Sequence, residues 1–318
     1  MVYVGDQFYR IQGYVKDKSG IPIANAKITV NGQTVITQET GYWEIIGITP
    51  GKYTLIASKA GYYFVPKNFV VAGNEHTINL NIDVVNLALC QLYAVNDGGL
   101  NRSQFFTTAL NSLQVNKLGP LYVGYDIEAL ATHPQTNIIY AASGDDTTTK
   151  ESRGYLYIVD GQTGELFPVG STGFDEIEAL AFDSTGTLWA WAKGDGLVVI
   201  DPNTGDGNLF MPSDVSIEAF TASKTGNTLF YGAANTDLWV YDMDTNRLEV
   251  VCTNLPGETE ALEMMLDGSL LFGTHQDETL SLHAFDPNTC NIISGVAIPT
   301  YKFNDVEGIT LPIDACLK

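Results

Sequence analysis

Five short stretches decide the fold: DIEAL at 126–130, EIEAL at 176–180, SIEAF at 216–220, ETEAL at 258–262 and DVEGI at 305–309. Their glutamates, Glu128, Glu178, Glu218, Glu260 and Glu307, are spaced by 50, 40, 42 and 47 positions. A period of this length with several short strands per unit means a repeated four-stranded sheet. Each shared stretch reads as an innermost strand with three more strands behind it. In the unit that starts at Glu218, these are TLFYGA at 228–233, DLWVYD at 237–242 and RLEVVC at 247–252.

The turn before the last strand also recurs, as VDGQTGEL, IDPNTGDG, YDMDTNRL and FDPNTCNI. Asp160, Asp201, Asp242 and Asp286 open these turns, where a carboxylate accepts backbone N–H groups two residues on. None has the ligand spacing of an EF-hand calcium loop.

The two ends of the repeat region complement each other. QLYAVNDGG, SQFFTTALN and LQVNKLG, between residues 91 and 119, supply three strands without an inner one, and Asp305–Ile309 supplies an inner strand with nothing after it. Joined, they make one sheet and five in all. This closure resembles that of YVTN-like and WD40-like propellers and removes exposed sheet edges. The expectation is a five-bladed β-propeller closed by strands from both ends of the domain.

Residues before the repeat read differently. DKSGIPIANAKITV at 17–30, TGYWEI at 40–45 and ITPGKYTLIASKAGY at 48–62 alternate apolar and polar residues between Gly, Pro and Asp turns, which is the pattern of half-buried strands. Their order resembles the carboxypeptidase regulatory-like domain, a transthyretin-like, Ig-like β-sandwich. That resemblance implies an accessory module that packs, spaces or attaches. Tyr42, Trp43, Tyr53, Tyr62, Tyr63 and Phe64 read mainly as packing residues, with a glycan-stacking platform as the alternative.

Charge divides the chain at the same place. Residues 1–83 hold seven Lys/Arg and six Asp/Glu, residues 84–318 nine and thirty-one, so the second part carries essentially all of the net −21. The expected domains are therefore a sandwich over 1–83 and a propeller over 84–318. A surface this acidic repels phosphate backbones and anionic lipid headgroups, which argues against nucleic acid and membrane insertion. No apolar run approaches a bilayer span, and the first residues lack the basic and apolar regions of a leader.

Four cysteines allow three pairings. Cys90 with Cys316 would lock the ring seam, and Cys252 with Cys290 would join outer strands of consecutive blades. Paired, they imply an oxidising compartment; four buried free thiols are the alternative.

The recurring glutamates carry the chemistry. Five carboxylates around one axis repel unless a metal ion, raised pKa values, basic neighbours or hydrogen bonds to the next blade neutralise them. A hard cation such as Ca2+ suits an all-oxygen site. The competing account makes each glutamate mortar between blades. Asp97, Asp145, Asp146, Asp195, Asp237, Asp277 and Glu278 are expected in loops on the same face.

No nucleophile elbow, phosphate loop or His-Glu-x-x-His motif occurs, and His275, in the stretch THQDE, is the one histidine to weigh as catalytic. The expected function is a non-enzymatic extracellular or cell-surface protein, with a virion component as the alternative. Its propeller would bind a protein or glycan, or assemble with itself, and its sandwich would act as spacer. The alternative is a metal-dependent hydrolase or lyase acting on a glycan or ester.

Overall fold

The computed structural model describes residues 8–17, 20–59, 62–64, 67–73, 76–82, 84–86, 91–98, 101–109, 114–224, 228–255, 257–276, 279–299 and 305–312. The chain forms two compact units, Met1–Ala88 and Leu89–Lys318.

The first unit holds β1 (Tyr9–Tyr14), β2 (Lys27–Val30), β3 (Gln33–Ile36), β4 (Tyr42–Ile48), β5 (Gly51–Ser58), β6 (Tyr62–Phe64), β7 (Lys67–Val71), β8 (Thr77–Asn79) and β9 (Val84–Asn86). They make one sheet in the order β4-β1-β8, a second in the order β3-β2-β5-β7, and the pair β6-β9. Side chains alternate across a strand. Tyr9 and Ile11 on β1, Trp43, Ile45 and Ile48 on β4, and Ile28 and Val30 on β2 therefore meet in one core. Val84 belongs to that core and Val84–Asn86 pair with Tyr62–Phe64. The charge step after residue 83 thus falls just inside the unit, because the last sandwich strand is apolar and carries no charge to mark it.

Burial separates the aromatic residues. Trp43 and Phe64 lie in the core, Tyr53 and Tyr62 pack against it, and Tyr42 is half-buried on the outer face. The Tyr63 side chain lies outside the described residues.

The second unit runs β10 (Gln91–Asp97), β11 (Arg102–Ala109), β12 (Val115–Val123), β13 (Ile127–Thr132), β14 (Ile139–Ser143), β15 (Tyr155–Val159), β16 (Leu166–Ser171), β17 (Ile177–Phe182), β18 (Leu188–Ala192), β19 (Gly196–Ile200), β20 (Gly207–Pro212), β21 (Ala219–Ala222), β22 (Leu229–Ala234), β23 (Asp237–Asp242), β24 (Arg247–Cys252), β25 (Ala261–Met264), β26 (Leu270–Gln276), β27 (Thr279–Asp286), β28 (Asn291–Pro299) and β29 (Val306–Thr310).

Among the described residues these strands form five four-stranded antiparallel sheets: β13 to β16, β17 to β20, β21 to β24, β25 to β28, and β12-β11-β10-β29. The last draws its inner strand from the far end of the domain, with Val95 opposite Gly308 and Tyr93 opposite Thr310. Inner strands β13, β17, β21, β25 and β29 each touch the next, and β29 touches β13. The architecture is therefore a sandwich followed by a propeller.

Between blades the core is apolar and shared. Ala179, Trp189 and Trp191 of one blade pack with Ile217, Phe220 and Phe230 of the next, and the Phe220 and Phe230 rings stack at 5.5 Å. The four recurrent aspartates do what their position demands: Oδ1 of Asp160, Asp201, Asp242 and Asp286 accepts the N–H of Gln162, Asn203, Asp244 and Asn288. Cys252, at the end of β24, is disulfide-bonded to Cys290 in the turn after β27, with Cα atoms 5.6 Å apart. The bond staples adjacent blades. Cys90 and Cys316 lie outside the described residues.

Candidate functional site

A β-bulge sets the direction of three glutamates. Ile127 pairs with Ser143 and Ala129 with Ala142, so two residues on β13 face one step on β14 and Glu128 is the extra residue. The same break falls at Glu178, between Ile177 and Ala179, and at Glu307, between Val306 and Gly308. A bulge re-aims the side chain it contains. Glu218 and Glu260 directly precede β21 and β25. All five carboxylates thus stand at the same end of their inner strands.

They also interact in ring order. Glu218 acts electrostatically on Glu178 and on Glu260, Glu260 on Glu307, and Glu307 on Glu128. Burial is the first cause of every shift. It pushes Glu178 and Glu260 up to about 7, raises Glu218, and holds Glu128 and Glu307 well above the ordinary carboxylate range.

The ring is chemically lopsided. On one side Lys193 Nζ lies 2.8 Å from Glu176 Oε1 and 3.3 Å from Glu178 Oε1, and Ser216 of the next blade donates its hydroxyl to Glu178 at 3.3 Å. Glu178 is only 6% exposed, so that pairing offsets a costly desolvation. Lys193 also opposes the rise of Glu218.

On the other side the strongest influences on Glu128, Glu260 and Glu307 are burial and other carboxylates. Glu128 and Glu307 act on each other as a pair, and burial together with neighbouring carboxylates holds both well above the ordinary carboxylate range. Asp126 bonds to Glu128, accepts the Asp146 N–H at 2.6 Å through Oδ2, and is pushed up to about 6, chiefly by burial. Gly144 leaves room for this group, because a Cβ there would stand 2.7 Å from Asp126 Oδ2 and 2.8 Å from Glu128 Cγ.

Glu260, Asp305 and Glu307 bring one carboxylate oxygen each within 4.8 Å of one another. Ca2+ binds oxygen at about 2.3–2.6 Å, so two ligands of one ion stand at most ~5 Å apart. The three oxygens fit such an ion in kind and spacing and would supply three of its roughly six to eight ligands. Asp305 belongs to the fifth repeat, but in other repeats that position holds Asp126, Glu176, Ser216 and Glu258, so a motif built on the glutamates overlooks it.

Below the mouth the axis narrows. Ala129, Ala179, Ala219 and Gly308, with Leu262, line a space of about 10 Å3 under Glu260 and Glu307, enough for about one water.

Of the other acids expected on this face, Asp97 and Asp146 reach the site: both raise Asp126, and Asp97 raises Glu128 and Glu307. Asp237 starts β23 and Asp195 lies in the turn before β19; neither is among the strongest influences on the five glutamates. Asp277 and Glu278 lie outside the described residues. His275, expected in a loop, belongs to β26 and pairs with Leu280, because the β26–β27 ladder runs on to Gln276 opposite Thr279.

Residues 10–85 match the sequence profile of the carboxypeptidase regulatory-like domain, so the first unit carries that domain. Among solved structures the chain is similar to a protein of unknown function from Bacteroides thetaiotaomicron, at 11% identity and TM-score 0.48, with 94% of this chain and 90% of that one covered. It is also similar to a chain of the nidogen/laminin complex, at 12% identity and TM-score 0.49, over 70% of this chain and 98% of that one. TolB from Acinetobacter baumannii matches at 12% identity and TM-score 0.46, over 72% and 68%. These likenesses concern the fold and nothing further.

Proposed function

We propose that the chain is a non-enzymatic binding protein of the extracellular space or cell surface, whose acidic propeller mouth takes a hard cation such as Ca2+ and presents it to a protein partner. The observation that carries this reading is the lopsided ring. Lys193 pairs with Glu178 on one side, while the other side gathers carboxylate oxygens of Glu260, Asp305 and Glu307 within 4.8 Å of one another. A cation there would relieve repulsion that burial intensifies. The interblade disulfide supports an oxidising compartment. In this reading the sandwich spaces or assembles the propeller.

A metal-dependent hydrolase or lyase is the second reading, favoured by the raised proton affinity of Glu128, a property that general acids share.

The test is thermal unfolding of the full chain at pH 7.5 with calcium and with chelator. Calcium at about 100 times its Kd should stabilise by about 2.7 kcal/mol, seen as a rise of several degrees in Tm. Glu307→Gln should remove that response. An unchanged melting curve in chelator and in millimolar calcium ends the cation reading.

A further inference from the structure

The outer face of the sheet β4-β1-β8 is ordered in a way that packing does not require. Alternation along β1 turns Tyr9, Ile11 and Gly13 inward and Arg10, Gln12 and Tyr14 outward. Register then lays Glu44, Gln12 and Asn79 in one row across three strands and sets Tyr42 beside Tyr14 in the next. Adjacent strands lie about 4.8 Å apart, so the row spans roughly 10 Å, about two sugar rings.

These side chains hold one another in place. Gln12 donates its amide to Asn79 Oδ1 at 3.0 Å. The Tyr42 hydroxyl donates to Gln12 Oε1 at 3.1 Å, with Glu44 Oε2 at 3.4 Å as its alternative acceptor. Arg10 pairs with that same Glu44 oxygen at 3.4 Å. The Tyr14 and Tyr42 rings stand 5.4 Å apart at 58°, and Lys16 Nζ lies 5.4 Å from the Tyr14 ring centroid. Tyr14 is 47% exposed although it sits mid-sheet.

Pre-organised amides beside exposed aromatic rings suit one ligand chemistry. Among the described residues Asn79 Nδ2 makes no hydrogen bond, so two N–H donors are presented to solvent next to the rings. The carboxylate on the face is already matched by a guanidinium and the ammonium by a ring, so the face offers little to an ionic partner. An uncharged polyhydroxyl ligand complements it: ring faces cover the C–H face of a sugar, and amides read its hydroxyls.

We infer that the outer face of β4-β1-β8 binds a neutral hexose polymer, through Tyr14 and Tyr42 as stacking surface and Gln12, Asn79 and Glu44 as hydroxyl readers. This gives the sandwich a binding role beyond spacing, independent of the propeller mouth.

Affinity electrophoresis of the full chain tests it, in chelator so that the acidic mouth plays no part. The gels contain a β-1,4-glucan, an α-1,4-glucan, a mannan, a galactan or, as charged arm, polygalacturonate. At least one neutral polymer should retard the protein. Tyr14→Ala and Asn79→Ala should each weaken that retardation about tenfold, the order expected for loss of a stacking ring or a hydrogen-bonded reader. Thr54→Ala, on the other sheet, should leave it unchanged. Both tested side chains are solvent-exposed, and an unaltered Tm certifies that the variants fold. Retardation by polygalacturonate alone, by no polymer, or equally in Tyr14→Ala overturns the inference.

Discussion

The two halves of the glutamate ring start from nearly the same five-residue motif and reach different electrostatic solutions. Around Glu178 and Glu218 a lysine from the β18–β19 turn supplies the missing charge. Around Glu260, Glu307 and Glu128 burial and neighbouring carboxylates raise the proton affinity of each group. The seam of the ring runs through the second half, where β29 closes against β13. A repeat therefore fixes where a side chain stands, and the residues between repeats decide what charge it carries there.

The seam has its own steric signature, and breaking it should produce the largest effect. Where the other inner strands carry Ala129, Ala179, Ala219 and Ala261, β29 carries Gly308, and a Cβ there would stand 2.8 Å from the Leu130 backbone nitrogen. Gly308→Ala should cost about 3 kcal/mol, the upper range for overpacking a well-filled core, since backbone cannot step aside. Urea unfolding reads the loss. A variant as stable as the parent would mean that the seam is as wide as the other joints.

Next in size is the lysine. Lys193→Met leaves Glu176 and Glu178 facing each other with Glu178 buried. Removing one partner of a buried pair costs several kcal/mol, but Lys193 is about half exposed, so about 2 kcal/mol is expected at pH 8. At pH 5 Glu178 takes a proton and the loss should shrink to the part carried by the Glu176 pair. An equal loss at both pH values would show that the lysine acts through its aliphatic stem.

Much of this was legible in the chain. The repeat, the four Asp turns and the split closing blade follow from local periodicity and turn chemistry, which need no knowledge of partners. The alignment of five glutamates at one mouth follows too, because repeated units put equivalent residues at the same end of their inner strands. Three features were not legible. The bulges at Glu128, Glu178 and Glu307 depend on cross-strand register. The pairing of Lys193 with Glu178 joins residues 15 positions apart, one in the β18–β19 turn and one on β17. Asp305 enters the cluster because ring closure brings β29 next to β25, which no single repeat encodes. In the sandwich, Trp43 read with five other aromatics as mainly packing and lies in the core, but Tyr14 acquires its neighbour Tyr42 through pairing of β1 with β4.

The smallest expected effect is the one that separates the halves by sign. A carboxyl whose folded pKa is raised binds its proton more tightly in the folded chain, so its stabilising contribution is complete below the unfolded value near 4 and is lost as pH climbs through the folded one. For Asp126 and Glu260 that loss falls between pH 4 and values of about 6 and about 7, and Tm in chelator should decline by several degrees from pH 5 to pH 8. Glu307→Gln removes a buried carboxyl from the half that holds Glu128 and Glu260. It should therefore raise stability by about 1 kcal/mol at pH 8, because one less buried charge faces Glu128 and Glu260, and change little at pH 5. Glu178→Gln should do the opposite at pH 8, lowering stability by about 0.5 kcal/mol as Lys193 loses its second partner while keeping Glu176. If both substitutions stabilise equally, Lys193 does not distinguish the two halves, and the ring is one uniform field of repelling acids.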